Sequence, residues 1–311
     1  MTKYTENPGA PWTVVLAGGE GTRMRVWINA SFGLSEPKQF CVLHGKKSMF
    51  QLTLDRTRRI APDGKTFAVT IRNFEHISRL QIGRRPVDLV VQPSDRGTTG
   101  AIYFALSQIM RHHPSARVAI FPSDHFVEPE ATFVTSIRGA INLSALIPDK
   151  LMLIATSPDR VESDYGYVLP GATIAKYGRN RLSSVTGFRE KPSAGDIGSI
   201  HKAGDLWNTF IIIGTLQAFF DVAAICVPEI LNAFHRYQTT IGGYQEKKAQ
   251  VSLYRNISQS DFCRDVLQNI PHHLVMYQLN NVHWSDWGRP ERIERSGVKL
   301  NDNNKPMRSH L

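Results

Sequence analysis

Short apolar runs rich in β-branched residues alternate with segments of helical periodicity along the first half of the chain. The runs typical of buried strands are WTVVLAG, TFAVTI, VDLVVQ, RVAIFPSD and LMLIAT. Two intervening segments each place four apolar side chains on one helical face: Ile102, Ala105, Leu106 and Ile109 in the first, and Phe133, Ile137, Ala140 and Ile141 in the second. This alternation predicts an α/β fold, with a mostly parallel central sheet and helices on both of its faces.

The alternation loosens from about Leu151 onward. The runs YGYVLPG, SSVTGFREKP and LWNTFIIIG predict further strands, some of them antiparallel, and helical segments follow from Leu216 to about Ile270 before a last strand, HLVMYQLN. We therefore predict a single domain over 12–300, divided into a front half (12–150) and a second half with a helical C-terminal region (151–300). The ends, 1–11 and 301–311, are expected to be flexible.

The composition is that of an ordinary soluble globular protein, with 41% hydrophobic and 21% charged residues among 311. No apolar run approaches the roughly 20 residues that a membrane helix needs, and the first residues carry no export-type apolar segment. The cysteines Cys41, Cys226 and Cys263 are odd in number and far apart, which argues against a disulfide framework or a metal cluster. A cytoplasmic location is the resulting expectation.

The formal net charge of +10 raises the question of which anionic partner the chain binds. A basic chain can bind nucleic acid, an anionic membrane or small anionic substrates. Here the cations are scattered, with only the local groups RTRR and GRR, and neither zinc-finger spacing nor an RNA-binding aromatic motif is present. We therefore expect no nucleic acid or membrane partner, whereas a phosphate-rich substrate would use part of the charge.

A glycine-rich turn, AGGEGTR, follows the first predicted strand. Small residues let backbone N–H groups approach an anion closely, and a helix starting there adds its positive dipole end. The turn lacks both the dinucleotide fingerprint and the Walker lysine, so a plain tight turn explains it equally well in isolation. The downstream PKQF adds Lys38 to Arg23, and two cations beside such a turn suit a triphosphate.

Two carboxylates lie at predicted strand ends that are remote in sequence. Asp124 ends RVAIFPSD and Asp286 lies in VHWSDWG, between two tryptophans. One or two carboxylates together with substrate phosphates are sufficient to hold Mg²⁺, so the pair predicts a Mg²⁺ site. The alternative for Asp124 is an N-cap of the next helix. His125 is expected to be a structural hydrogen-bonding residue and not a base.

Further polar positions at strand ends have a structural and a functional interpretation each. Gln92 could read a base edge or simply belong to a loop, before a helix opened by Thr98 or Thr99. Glu190 and Lys191 could hold a sugar phosphate or form an exposed ion pair. Asn208 lies on an otherwise apolar strand and needs partners there. Gly166 permits a close backbone approach.

In this order, the motifs resemble those of the sugar-phosphate nucleotidyltransferase family, and most closely its mannose-1-phosphate guanylyltransferase branch. The matching segments extend from about Val14 to Gly288: LAGGEGTRM, PKQF, QPSDRGTTGAI, PSDH, YGYV, GFREKPS, LWNTFIIIG and WSDWG. The segment MRVWINASFGLSE after Arg23 is longer than the family's and lacks its Trp-Pro pair.

The resemblance implies a Rossmann-like nucleotidyltransferase fold with a smaller sugar-binding lobe, the front half binding the nucleotide and the second half the sugar phosphate. It implies an enzyme that joins an NTP, with GTP favoured, to a sugar 1-phosphate, with mannose 1-phosphate favoured, using Mg²⁺. The nucleotide-binding residues it implies are Leu16, Gly18, Gly19, Gly21, Thr22, Arg23, Lys38, Gln92, Thr98 and Asp124. The substrate-binding residues are Gly166, Glu190, Lys191 and Asn208, the metal ligands Asp124 and Asp286, and the catalytic residues Arg23, Lys38, Asp124, Lys191 and Asp286.

No histidine base is required, because a sugar 1-phosphate is already an anion at neutral pH. Catalysis is expected to consist of positioning and charge neutralisation. Three alternatives stay open: thymidylyl or uridylyl transfer to glucose 1-phosphate, cytidylyl transfer to a polyol phosphate, and a non-catalytic regulatory relative that binds nucleotide-sugars. A homo-oligomer is possible.

Overall fold

The computed structural model describes residues 10–61, 65–193, 195–196 and 204–301. The strands are β1 (Trp12–Leu16), β2 (Thr66–Ile71), β3 (Val87–Gln92), β4 (Arg117–Pro122), β5 (Phe126–Glu128), β6 (Leu151–Thr156), β7 (Gly166–Tyr177), β8 (Asn180–Glu190), β9 (Leu206–Thr215), β10 (Leu274–Leu279) and β11 (His283–Ser285). The α-helices are α1 (Thr22–Phe32), α2 (Met49–Ile60), α3 (Glu75–Ile82), α4 (Gly97–His112), α5 (Glu130–Ser144), α6 (Leu216–Cys226), α7 (Pro228–Gln238), α8 (Glu246–Asn256) and α9 (Pro290–Arg295).

The described strands form a nine-stranded sheet in the order β3-β2-β1-β4-β9-β6-β10-β8-β7, together with a small antiparallel pair of β5 and β11. The pairs β3–β2, β2–β1, β1–β4 and β6–β10 are parallel. Strand β9 runs antiparallel between β4 and β6. The predicted α/β class with a mostly parallel sheet is confirmed, as is the presence of antiparallel strands in the second half. Parallel strands bring their carboxyl ends to one edge, where α/β folds bind ligands.

Helices cover both faces of this sheet because its central strands bury side chains on both sides. One apolar cluster includes Trp12 and Val118 of the sheet together with residues of α4, α6, α7 and α8. A second includes Ile154 of the sheet with Phe133 and Ile137 of α5. Strands that face apolar layers on both sides consist of continuous apolar runs, which is why the sequence marks them clearly.

Strands β7 and β8 form a long hairpin at one end of the sheet, whose start at Gly166–Tyr167 pairs with Glu190–Arg189. The start of β7 also pairs with the start of β9, through Tyr167 and Trp207. The start of β9 lies beside the carboxyl end of β6, where Thr156 pairs with Trp207, so the hairpin base reaches the ligand edge of the sheet.

The boundaries of 12–300 and its division at 150 stay predictions. Residues 1–9 and 302–311, whose flexibility the sequence predicts, lie outside the described residues. Among the helices described, none combines the length and apolarity that crossing a bilayer requires.

Candidate active site

The glycine turn connects the carboxyl end of β1 to the first turn of α1. Gly21 has φ 61°, a left-handed conformation that favours glycine, and it caps α1 without a side-chain hydrogen bond. The Gln39 side-chain amide donates to the Gly19 carbonyl at 2.7 Å and so stabilises the conformation of the turn. The first N–H groups of a helix have no intrahelical acceptor, so this turn presents donors suited to an anion.

Lys38 lies at the centre of the site, and its side chain is only 5% exposed. An ideal Cβ on Gly21 would lie 3.5 Å from the Lys38 backbone nitrogen, so this residue lies directly against the turn. Its ammonium is 2.9 Å from Asp124 Oδ2 and also donates to the backbone carbonyl of Asp286. Lys38 therefore joins two segments that are remote from each other in the chain.

Asp124 leaves the carboxyl end of β4, and its side chain is 36% exposed. Burial opposes ionisation of this carboxyl, but the neighbouring Lys38 ammonium outweighs it and lowers the Asp124 pKa. The negative charge of Asp286 acts in the opposite direction, so the two carboxylates are close enough to interact. The alternative interpretation of Asp124 as a helix N-cap is wrong, because β5 follows it and α5 is capped by Pro129.

His125 has the structural role expected of it. Its Nδ1 accepts a hydrogen bond from the Trp284 indole at 3.2 Å, and burial lowers the pKa of the imidazole. Its Nε2 lies 3.7 Å from Asp124 Oδ1, beyond hydrogen-bond distance. The ring therefore supports the carboxylate segment by packing against β11.

Asp286 is held by three donors. Tyr165 donates to Oδ1 at 2.8 Å, the Gly288 N–H donates to the same oxygen at 2.9 Å, and Arg292 Nη1 lies 2.8 and 2.9 Å from the two oxygens. Burial alone would raise its pKa, but Lys38 and Arg292 outweigh burial and lower the Asp286 pKa to about 2. The carboxylate is therefore ionised throughout the neutral range.

Arg292 is a residue of this site that sequence reasoning missed. Its side chain is 2% exposed, and its guanidinium contacts Glu162 and Asp164 at 2.8 Å in addition to Asp286. The guanidinium also lies 4.5 Å from the centre of the Tyr165 ring. The only signal in the sequence is the Arg-Pro-Glu-Arg run directly after WSDWG, which also fits a solvent-exposed helix start.

Arg23, in the first turn of α1, points toward the same network. Its Nη1 lies 3.4 Å from Asp164 Oδ2, and its side chain is 58% exposed. The two cations predicted to flank the turn are therefore both present there, with Lys38 buried and Arg23 open to solvent.

The four predicted substrate-binding residues also lie in one region, at the base of the β7–β8 hairpin. A Cβ added to Gly166 would meet Glu190 Oε2 at 2.6 Å and the Phe188 ring at 3.0 Å, so the backbone of Gly166 lies close to that carboxylate. Lys191 Nζ lies 3.0 Å from Glu190 Oε1, and Asn208 donates to the Cys263 sulfur at 3.6 Å. Burial raises the pKa of Glu190 despite the Lys191 charge.

Cys263 connects Asn208 to Glu190, which the sequence analysis did not foresee. Ligand atoms of Glu190, Asp261 and Cys263 all lie within 4.8 Å of one another. The Lys191 ammonium lies 3.0 Å from Glu190, so this group of ligand atoms already has a cationic partner.

The predicted base-side residues lie where the carboxyl end of β3 meets α4. Gln92 is buried, accepts a hydrogen bond from the Tyr254 hydroxyl at 3.0 Å, and its Nε2 would lie 3.4 Å from a Cβ on Gly18. Thr98 accepts from the Phe262 N–H at 2.7 Å. The helix begins at Gly97, one residue before the predicted start. Gln92 thus lies against the glycine turn, whereas Thr98 contacts the segment leading to Cys263.

The carboxylate oxygens of Asp124 and Asp286 are ligand atoms that suit a hard divalent cation. Both carboxylates are ionised at neutral pH, and Asp286 Oδ2 accepts a hydrogen bond only from Arg292 among the described residues. Mg²⁺ prefers carboxylate and phosphate oxygens and is usually held by one or two carboxylates with substrate phosphates. The residues present therefore satisfy that requirement.

Comparison with known proteins agrees with the family that the ordered motifs indicate. The family described as Nucleotidyl transferase matches residues 12–302. Xanthan biosynthesis protein XanB of Xanthomonas campestris pv. campestris (strain B100) is 27% identical over 226 residues, 71% of this chain and 45% of that protein. Mannose-1-phosphate guanylyltransferase RfbM of Salmonella typhimurium (strain LT2) is 27% identical over 229 residues, with the same coverage of 71% and 45%. The chain thus spans less than half the length of these relatives.

Among solved structures, the one titled mannose-1-phosphate geranyltransferase from Thermus thermophilus has a TM-score of 0.78. It is 21% identical, and the match covers 93% of this chain and 80% of that one. At this identity the likeness concerns the fold. The family predicted from the ordered motifs is confirmed.

Proposed function

Because the chain belongs to the nucleotidyl transferase family, we propose that it joins GTP to mannose 1-phosphate, forming a nucleotide-sugar and releasing pyrophosphate. The observation that carries the proposal is the contact of Lys38 with both Asp124 and the Asp286 segment beside the glycine turn. The choice of GTP and mannose rests on the names of the relatives, one of which is a mannose-1-phosphate guanylyltransferase. The name of another, a xanthan biosynthesis protein, favours a role in polysaccharide biosynthesis.

In the proposed step, a phosphate oxygen of the sugar 1-phosphate attacks the α-phosphorus of the NTP. The bond from that phosphorus to the oxygen bridging toward the β-phosphate breaks, and the electron pair leaves with pyrophosphate. The nucleophile is already an anion, so no side chain has to remove a proton. The obstacles are repulsion between the anions and charge accumulating on the leaving group.

The residues of this chain reduce both obstacles electrostatically. The α1 N-terminus and Lys38 would stabilise the triphosphate, Arg23 the departing pyrophosphate, and Lys191 the incoming sugar phosphate. Asp124 and Asp286 would hold Mg²⁺, which supplies positive charge against the phosphates when bound. Glu190 would accept hydrogen bonds from sugar hydroxyls, and Asn208 would accept or donate them. Gly166 would allow the sugar to approach the backbone closely.

A pyrophosphate-release assay with Mg²⁺ over a panel of NTPs and sugar 1-phosphates tests this function. We expect the pair of GTP and mannose 1-phosphate to turn over fastest. A faster reaction of dTTP or UTP with glucose 1-phosphate, or of CTP with a polyol phosphate, would move the assignment to that nucleotide and sugar. Nucleotide binding without turnover of any pair would favour the non-catalytic relative.

Asp124→Asn tests the metal assignment with the least damage to the fold, because this side chain is the more exposed of the two carboxylates. We expect a loss of at least about 100-fold in kcat, equivalent to about 2.7 kcal/mol of transition-state stabilisation. Asp286→Asn should behave similarly, with its melting temperature checked because of its Arg292 contacts. The exposed Asp149→Asn is the matched control, and wild-type rates in Asp124→Asn would contradict the metal assignment.

Cytoplasmic location and homo-oligomer formation stay predictions from the sequence.

A further inference from the structure

A second exposed arginine lies beside Arg23 on the same carboxylate. Arg289 Nε is 2.6 Å from Asp164 Oδ2, the oxygen that Arg23 Nη1 approaches at 3.4 Å. Because both guanidinium groups contact one oxygen atom, they lie close enough to bind a single phosphate group together. Arg289 belongs to none of the motifs that predicted the site.

Three guanidinium groups share the single carboxylate of Asp164. Three guanidiniums contact the same oxygen, and the buried one, Arg292, has two further carboxylate partners in Glu162 and Asp286. Among the described residues, Asp164 is the acidic partner recorded for both Arg23 and Arg289. The two exposed guanidiniums therefore share one carboxylate oxygen, while the three guanidiniums together contact three carboxylates.

Contacts of the preceding residue, Gly288, hold the backbone at Arg289 in place. The Gly288 N–H donates to Asp286, and a Cβ on Gly288 would lie 2.5 Å from Asp286 Oδ2 and 3.0 Å from Arg292 Nη1. The backbone before Arg289 is thus packed against the carboxylate assigned to Mg²⁺, while the Arg289 side chain is 54% exposed. The Arg289 backbone therefore follows directly after the residue packed on that carboxylate, and its guanidinium shares the Asp164 oxygen with Arg23.

We propose that Arg289 and Arg23 form a two-arginine clamp for the terminal phosphates of the NTP and for the released pyrophosphate, which replace Asp164 as the partner of both. A terminal phosphate carries more negative charge than a carboxylate and offers three oxygens to two planar guanidinium forks. Asp164 keeps the two like-charged side chains together until the phosphate binds. This proposal rests on the proposed function for its substrate.

The test compares Arg289→Gln with Arg295→Gln, an exposed arginine on the adjoining short helix that loses the same charge. Steady-state rates would give KM for the NTP and for the sugar 1-phosphate, and calorimetry with Mg²⁺ and inorganic pyrophosphate would give the pyrophosphate affinity. We expect Arg289→Gln to raise KM for the NTP and weaken pyrophosphate binding about tenfold, the effect of one charge-assisted hydrogen bond. KM for the sugar 1-phosphate should change less than about twofold, and Arg289→Lys should recover part of the loss.

Two results would overturn the clamp. One is an Arg289→Gln variant that matches Arg295→Gln in both NTP and pyrophosphate values. The other is an equal loss for the NTP and the sugar phosphate with a lowered melting temperature, which would make Arg289 a structural residue. If the wild-type chain shows no turnover, the proposed function fails, yet the pyrophosphate affinities of the two variants still decide the clamp.

Discussion

Replacing Arg292 by glutamine removes an almost fully buried cation that contacts Glu162, Asp164 and Asp286. Glutamine keeps part of the volume and one or two hydrogen bonds but carries no charge. The three carboxylates would then share a partly buried space without the guanidinium that now touches each of them. We expect this substitution to destabilise the fold strongly.

The magnitude follows from the burial of the charges. Removing one partner of a buried ion pair typically costs about 3–5 kcal/mol when the remaining charge loses its compensation. Asp164 would keep Arg23 and Arg289, so the cost falls mainly on Asp286, which loses the cation that contacts both of its oxygens. Arg292 also stacks on the Tyr165 ring, and losing that contact adds to the cost. A loss of about 4 kcal/mol is a large fraction of the roughly 5–15 kcal/mol that stabilises a typical domain.

Urea denaturation of Arg292→Gln and of the exposed Arg295→Gln at pH 7 and at pH 4.5 would measure the effect and its cause. In the wild type, the low Asp286 pKa of about 2 stabilises the fold above the unfolded-state value near 4 and stops doing so as pH falls through 2. In the variant, Asp286 loses the guanidinium that lowers its pKa, so we expect its pKa to rise and its protonation to relieve the repulsion as the pH falls. The difference from wild type should therefore shrink between pH 7 and pH 4.5, and Arg295→Gln should stay within about 0.5 kcal/mol of wild type. A loss below about 1 kcal/mol, or one independent of pH, would refute the reasoning.

Two further predictions concern the scaffold. Gly97 has φ 78°, and its Cβ would lie 2.2 Å from the Ser260 carbonyl oxygen, so Gly97→Ala should cost at least about 2 kcal/mol in urea denaturation. Gly33→Ala, at φ 66° with open space around it, isolates the backbone term and should cost about 1 kcal/mol; equal costs would show that the Ser260 contact is unimportant. Burial would raise the Asp55 pKa, but hydrogen bonds led by Arg85 outweigh it and lower it, so Asp55 stabilises the fold above about pH 4 and loses this effect as pH falls. Asp55→Asn should thus cost about 1 kcal/mol at pH 7 and progressively less as pH falls below about 4, and a cost that stays constant down to the acid limit of folding would contradict the pairing.

The fold could be predicted from the sequence where burial alone determines the pattern. TFAVTI and LMLIAT coincide with β2 and β6, which are buried at every position, because a strand between two apolar layers is apolar at nearly every position. VDLVVQ coincides with β3, an edge strand that is only partly buried. The direction of β9 could not be predicted this way. LWNTFIIIG is as apolar as β4 and β6, the two strands beside it. Its composition therefore does not reveal that it runs antiparallel to both. Strands β5 and β11 have three residues each, too few to show a period.

The site shows the same limit at the level of side chains. Lys38, Asp124 and Asp286 could be predicted because each lies in a short motif at the end of a predicted strand or beside the glycine turn. Arg292 could not, since PERIER has the composition of an exposed helix, and its 2% exposure results from contacts with chain segments remote in sequence. Likewise, nothing in the sequence indicates that Tyr165 contacts Asp286.

The segment after Arg23 and the arginines after Asp286 belong to one packing arrangement. Most of that segment lies in α1, whose buried residues Met24 and Ile28 share an apolar cluster with Trp287 and Ile293. Trp287 lies between Asp286 and the start of α9, in a left-handed conformation with φ 47° that the packing must support. The apolar cluster therefore fixes the distance between the helix that carries Arg23 and the turn that precedes α9. Ion pairs of exposed side chains contribute little by themselves, so the apolar contact is what brings the guanidinium groups to one carboxylate.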